Sequence, residues 1–273
     1  MLPASNRMKT RGVCKDWRDM VDDPLIWQVA TVGVLPYGEQ EMAQTTKRNR
    51  STQTDHDGTA NAALAHGLRR LARRCFSRTY SLTMPCLPTD DLECILTSAP
   101  SLTALHVYVS EQEYMTTNEN GLVAIARSCR KLESLRHPLP PLHFDSDERL
   151  HRSSLRLVMK SNPDITRLDF SLPAPGEDVM VHRLVDALHH APALTELSVR
   201  NCSNVDDRII RPLCARPLSR LDVRGTSVTY RALELLAANC LTLKAIAVDP
   251  PRGDERNNEI SEKLWLLIDS QLF

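Results

Sequence analysis

The chain is poor in aromatic residues: 4 Phe, 3 Trp and 5 Tyr make up only 4% of its 273 residues, so its core must be aliphatic. It has no excess of charge, with 34 Lys+Arg against 34 Asp+Glu. That balance removes the usual electrostatic basis for a general nucleic-acid or anionic-membrane binder, leaving at most a local basic patch. No apolar run approaches the roughly 20 residues that span a bilayer; the best, Leu25 to Leu35, is interrupted by Gln28 and Gly33. After Met1 there is no charged tip and apolar stretch of a secretory leader, so the expected location is inside the cell, cytoplasmic or nuclear.

Chemistry-bearing motifs are missing as well. The eight cysteines, at positions 14, 75, 86, 94, 129, 202, 214 and 240, form no Cys-x-x-Cys and no zinc-spaced Cys/His quartet. They read as buried thiols, without a disulfide framework or metal site. Gly33 to Gly38 has the spacing of a phosphate loop but is followed by Glu39-Gln40, without the lysine and hydroxyl that hold phosphate and magnesium. Gly-x-Gly, Gly-x-Ser-x-Gly and His-Glu-x-x-His do not occur. His189 and His190 are adjacent on a helix and point apart, and Cys14 has no histidine near it in sequence. No enzyme and no cofactor are expected.

What the chain has is leucine, 38 residues of it, and the leucines are periodic. Leu-x-x-Leu-x-apolar recurs as Leu102/Leu105/Val107, Leu132/Leu135 with His137 in the last slot, Ile165/Leu168/Phe170, Leu194/Leu197/Val199, Leu218/Leu221/Val223 and Leu243/Ile246/Val248. The starts are 30, 33, 29, 24 and 25 residues apart. A degenerate earlier copy is expected to place Tyr80 and Leu82 in the last two apolar slots. Alternation at the end of each motif predicts a short strand with its apolar side chains turned into a stack. Between the strands lie helical patterns: Leu92/Ile95/Leu96, Leu122/Ile125/Ala126, Leu155/Val158/Met159, Leu184/Ala187/Leu188, Ile209/Ile210/Leu213 and Leu233/Leu236/Ala237. Several stop alike, at Ala99-Pro100, Asn162-Pro163 and Ala191-Pro192, where proline disfavours helix in the residue before it.

On these residues the chain resembles the cysteine-containing leucine-rich repeat family over roughly residues 76 to 250. The clearest unit runs Leu194-Thr-Glu-Leu197-Ser-Val199-Arg-Asn201-Cys202-Ser-Asn-Val205-Asp206. The resemblance implies an α/β solenoid with parallel strands on its concave face and helices on its convex face. Leu139-Pro140-Pro141-Leu142 and Pro173-Ala-Pro175-Gly176 depart from the pattern and should form loops at one rim. Glu259 to Phe273 carries Ile260, Leu264, Leu267, Ile268 and Leu272 at helical spacing, as a helix capping the open end would.

The first residues follow a different pattern. Val13-Cys14-Lys15-Asp16-Trp17-Arg18, then Asp23-Pro24-Leu25-Ile26-Trp27, resembles the second half of an F-box, with Leu2-Pro3 in the turn before it. The resemblance implies a small partial α-helical F-box, a Skp-type adaptor and cullin complex as partners, and adaptor contacts at Leu2, Pro3, Val13, Cys14, Trp17 and Trp27. Its implied role is the substrate-recognition subunit of an SCF-type ubiquitin ligase. An F-box usually has an earlier helix supplying much of the adaptor contact, so the alternative is a repeat scaffold with a vestigial box. Tyr37 to Ala60 has almost no large apolar residue and reads as a linker. Arg69, Arg70, Arg73 and Arg74 flank Leu64, Leu68 and Leu71 on a helix expected to cover the first repeat rather than bind RNA. The expected organisation is a box over 1–32, a flexible linker over 33–62, a solenoid over 63–258 and a cap over 259–273.

Strand slots between the buried leucines should carry the function. They are His106 and Tyr108, Arg136, Arg167 and Asp169, Glu196, Ser198 and Arg200, Arg220, Asp222 and Arg224, then Asp249. This mosaic of both signs suits a protein target more than a small apolar molecule. Arg200, Arg220 and Arg224 are the expected hot spot.

Overall fold

A computed structural model describes residues 28–31, 56–108, 119–138, 154–171, 181–250, 264 and 267–268; side chains are not described for 56–65 and 119. The chain divides into two units, Met1–Leu102 and Thr103–Phe273.

In the first unit, strand β1 (Val29–Thr31) pairs in parallel with β2 (Ser81–Pro85), aligning Ala30 with Leu82. Helix α1 (His56–Cys75) lies between them in sequence, followed by a 3-10 turn (Phe76–Arg78), and α2 (Thr89–Thr97) follows β2. Two boundaries differ from the sequence reading. Val29–Thr31, assigned there to the helical box, is a strand, and residues 56–62, assigned to the linker, begin α1. Polar composition misled in the second case, because a long helix needs only a narrow apolar stripe: Leu68, Leu71, Ala72 and Cys75 are buried while Arg70, Arg73 and Arg74 face solvent. Arg69 donates from its Nε to the buried carboxylate of Asp91, tying α1 to α2.

The early repeat slots are also corrected. Tyr80 is exposed, and the buried positions are Thr79, Leu82 and Met84, which restore the Leu-x-x-Leu-x-apolar spacing with threonine in first place.

The second unit is the periodic part. Its strands are β3 (Ala104–Tyr108), β4 (Ser134–Arg136), β5 (Arg167–Asp169), β6 (Glu196–Ser198), β7 (Arg220–Asp222) and β8 (Ala245–Ala247), each parallel to the next. Leu105, Leu135, Leu168, Leu197, Leu221 and Ile246 stand opposite one another in one unbroken register. Each is almost fully buried, at 3% exposure or less. Helices α3 (Glu119–Ser128), α4 (Ser154–Ser161), α5 (Val181–Leu188), the short α6 (Ile210–Leu213) and α7 (Tyr230–Asn239) intervene and bury the residues that the helical spacing selected. Parallel strands joined by helical crossovers in sequence order make a leucine-rich repeat solenoid.

Neighbouring repeats are bonded at each strand entrance. The carbonyl of Glu133 accepts from the amides of Thr166 and Arg167, that of Thr166 from Thr195 and Glu196, and that of Thr195 from Ser219 and Arg220. The hydroxyls of Thr166, Thr195 and Ser219 donate to the same carbonyls at 3.1, 3.0 and 3.0 Å. Helix ends add further bonds between repeats. Asn162, buried, accepts from the Leu132 amide at 2.9 Å, and Cys240 Sγ donates to the Leu218 carbonyl at 3.3 Å. Thr229 caps α7 by accepting from the Ala232 amide, and its own hydroxyl donates to Asp207 at 2.8 Å.

Among the described cysteines, none of which is in a disulfide, Cys75, Cys129, Cys202 and Cys240 are buried. Cys86, Cys94 and Cys214 are partly exposed, which corrects the reading of all of them as buried thiols. Burial pushes the thiols of Cys129 and Cys202 up to about 12, so neither is a nucleophile at neutral pH. At the far edge Leu264 is fully buried, and Ile268 bridges in parallel to Ile246 on β8.

Two positions give tests. After β6 and β7 the chain turns through the left-handed region, at Asn201 (φ 65°) and at Gly225 (φ 69°) one repeat later. A Cβ on Gly225 would lie 2.9 Å from Asn201 Oδ1 and 3.0 Å from its Cα. Gly225→Ala is therefore expected to destabilise by about 1–3 kcal/mol, measured by urea unfolding, with Asn201→Gly close to neutral.

His137 occupies an apolar slot, fully buried, with Nδ1 2.6 Å from the Pro138 carbonyl; that contact requires the ring to carry its proton on Nδ1. Burial pushes its pKa down to about 4, the Pro138 hydrogen bond opposing. The unfolded chain takes up this proton near the ordinary value of about 6.5. Stability is then complete above about 6.5 and falls as pH drops toward about 4, by about 3 kcal/mol. Urea midpoints across this window should fall in the native chain, and His137→Met should flatten this part of the loss.

Candidate functional site

Since each strand buries alternate residues, the others form columns across the sheet of the second unit, with neighbours about 4.8 Å apart. The registers place Ala104, Ser134, Arg167, Glu196, Arg220 and Ala245 in the first column. The second holds His106, Arg136, Asp169, Ser198, Asp222 and Ala247. Continuing each strand by two residues gives Tyr108, Pro138, Ser171, Arg200, Arg224 and Asp249. The residues expected to bind a target therefore share one face of this unit. The adaptor residues Leu2, Pro3, Val13, Cys14, Trp17 and Trp27 lie outside the described residues.

The face is cross-linked by its own charges. Arg136 Nε lies 2.9 Å from Asp169, and Arg167 Nε 3.2 Å from Glu196. Arg220 approaches the same Glu196 at 3.8 Å, so one carboxylate on β6 sits between guanidinium groups from the two strands that flank it. His106 and Tyr108 meet edge to face, centroids 6.3 Å apart. Burial, aided by the charge of Arg136, pushes the His106 pKa down.

Two slots expected to face outward do not. Asp222 is 1% exposed: it accepts from the amide of Arg224 at 3.1 Å, from its Nε at 3.0 Å and, through Oδ2, from its guanidinium at 2.6 Å. Ser198 is buried with its hydroxyl 2.8 Å from that of Ser171. A charged side chain in an exposed slot has no sequence mark distinguishing it from one folded down by a cation two residues later. The expected trio is thereby split. Arg224 is held by Asp222, Arg220 is half committed to Glu196, and Arg200 is exposed with no ion-pair partner among the described residues.

Sequence reasoning missed a cavity of about 260 Å³ beside the turn after β7, lined by Val223, Thr226, Val228, Tyr230, Val248 and Asp249 among others. Its hydroxyls are engaged: Thr226 donates to the Val223 carbonyl at 2.6 Å and Tyr230 to that of Asp249 at 2.7 Å. The turn residues Gly225 to Thr229 were its only trace in the sequence. Among the described residues no three His, Cys, Asp or Glu side chains are placed to hold a metal ion, and no helix is long and apolar enough to cross a membrane.

Arg224→Met is expected to cost about 2–3 kcal/mol in urea unfolding, because it strands a buried carboxylate. Arg200→Met should change stability by no more than about 0.5 kcal/mol.

Comparison with known proteins adds the part that the described residues omit. Residues 1–29 match the family model of the F-box domain. Among solved structures the chain is similar to the leucine-rich repeat-containing protein LegL7 from Legionella pneumophila, at 14% identity and a TM-score of 0.44, over 73% of this chain and 64% of that one. It is similar to a chain of the Toll–Spatzle complex of Drosophila at 10% identity and TM-score 0.41, over 69% of this chain and 22% of that one. A chain of the yeast Rad7 and Elc1 complex matches at 13% identity and TM-score 0.28, over 85% and 83%. This chain thus spans less than two thirds of the first two. The chain thus carries an F-box match over residues 1–29 and, in its second unit, parallel strands stacked in the manner of leucine-rich repeats.

Proposed function

We propose that the chain is the substrate-recognition subunit of an SCF-type cullin-RING ubiquitin ligase. In this reading the F-box segment docks a Skp-type adaptor through Leu2, Pro3, Val13, Cys14, Trp17 and Trp27. The strand face of the second unit holds the target protein, in the cytoplasm or nucleus. The observation that carries it is the F-box match over residues 1–29 on the same chain as a rigid face of polar columns.

The chain's part is positional. Held beside a ubiquitin-charged enzyme, a target meets it at an effective concentration set by geometry rather than by bulk diffusion, which turns a bimolecular encounter into a local one. The sheet suits this task because its columns are fixed by backbone hydrogen bonds, so a bound target keeps a defined orientation. No side chain of this chain is needed for bond making.

The test is co-purification of the full chain with a purified Skp-type adaptor. The native chain is expected to retain the adaptor and Trp17→Ala to lose it, while Arg200→Glu, remote from the box in sequence, retains it. Circular dichroism of each variant separates lost binding from lost folding. A folded native chain that retains no adaptor overturns the ligase reading.

A further inference from the structure

The strand face mixes both signs in composition, yet its charges lie at different depths. Glu196 is 18% exposed at its side chain and Asp222 only 1%, whereas Arg136, Arg167 and Arg220 are 56, 62 and 51% exposed. Asp169, at 27%, is covered by Arg136, while Asp249, beyond β8, is exposed and accepts from the Gly225 amide at 2.6 Å. Arg200 adds an exposed guanidinium with no ion-pair partner among the described residues. Across β5 to β7, therefore, Asp169, Glu196 and Asp222 form a lower layer that orients the arginines, and the outer layer there is cationic.

From this layering we infer that the ribbon of Arg167, Arg200 and Arg220 docks an extended, carboxylate-rich segment of the target protein. The inference rests on reading the strand face as the target surface and supplies the target's chemistry. Arg167 and Arg220 stand two strands apart, roughly 10 Å, close to the reach of three extended residues. Acidic side chains at about that spacing can each meet one guanidinium. A phosphate dianion is matched best by several donors converging on one point; Arg200 lies four residues, about 13 Å, further along its strand than the column of Arg167 and Arg220, so the three do not converge, and the pairs that Arg167 and Arg220 already make are with a carboxylate. A nucleic-acid strand is disfavoured because the outward residues of β5 to β7 include no aromatic ring on which bases could stack.

The test uses the full chain and a fluorescein-labelled peptide with Glu at every third position on a Ser/Ala background, read by anisotropy. Matched peptides carry Gln or phosphoserine at those positions, and a thymidine oligonucleotide serves as the nucleic-acid arm. The Glu peptide should bind, weaken with added salt, and lose about tenfold in affinity with Arg200→Glu and further with Arg220→Gln. Arg156→Glu, on α4, should leave it unchanged. Equal binding of the Gln peptide, indifference to Arg200→Glu, or tighter binding of the phosphopeptide or oligonucleotide overturns the inference. Adaptor retention measured on the same samples keeps the two failures apart: peptide binding lost with the adaptor retained removes the acidic-segment inference and leaves the ligase reading standing.

Discussion

A short parallel strand cannot satisfy its own backbone. Each three-residue strand of the second unit presents amides and carbonyls that only the preceding and following repeats can pair, and the structure depends on that obligation. The bifurcated contacts at the strand entrances, where one carbonyl takes two amides and often a Thr or Ser hydroxyl of the next repeat, are its visible form. They fix the register, and the register decides which side chains enter the core. A slip of one residue would turn Leu135, Leu168, Leu197 and Leu221 toward solvent and bring Arg136, Asp169 and Asp222 into the interior.

The same constraint makes the surface. Once leucines alternate inward at fixed height, the intervening residues must form straight columns, and charges on adjacent strands come within pairing distance. Glu196 meets Arg167 and Arg220 for no other reason than shared register. Exposed pairs of this kind contribute little stability, about 1 kcal/mol or less. Their consequence is orientation: acidic groups pulled low leave guanidinium groups standing high, and a sequence with no net charge acquires a cationic ribbon.

Much of this was legible beforehand because leucine spacing reports burial directly. All six strand motifs from Leu105 to Ile246 fall in strands of one register, and the helical triplets between them are buried. Reading failed where a residue's environment depended on a distant partner. Tyr80 was placed in the core because it is apolar, whereas Leu82 holds that slot, with Thr79 before it and Met84 after it. β1 was invisible, since three residues, Val29-Ala30-Thr31, carry too little pattern to reveal a partner some fifty positions on. Asp222 appeared outward by alternation and is folded down by Arg224, a choice made by hydrogen bonding rather than by period. The F-box was read from Leu2-Pro3, Val13 to Arg18 and Asp23 to Trp27, and the family match over residues 1–29 agrees with it.

Hydrogen exchange resolved to single amides tests the central claim most directly. If repeats satisfy one another, the amides of Thr166, Thr195 and Ser219, which donate across repeat boundaries, will be protected together with Leu168, Leu197 and Leu221. If they exchange as freely as loop amides while the helices stay protected, the strands are not mutually bonded, and neither the columns nor the ribbon upon them exists.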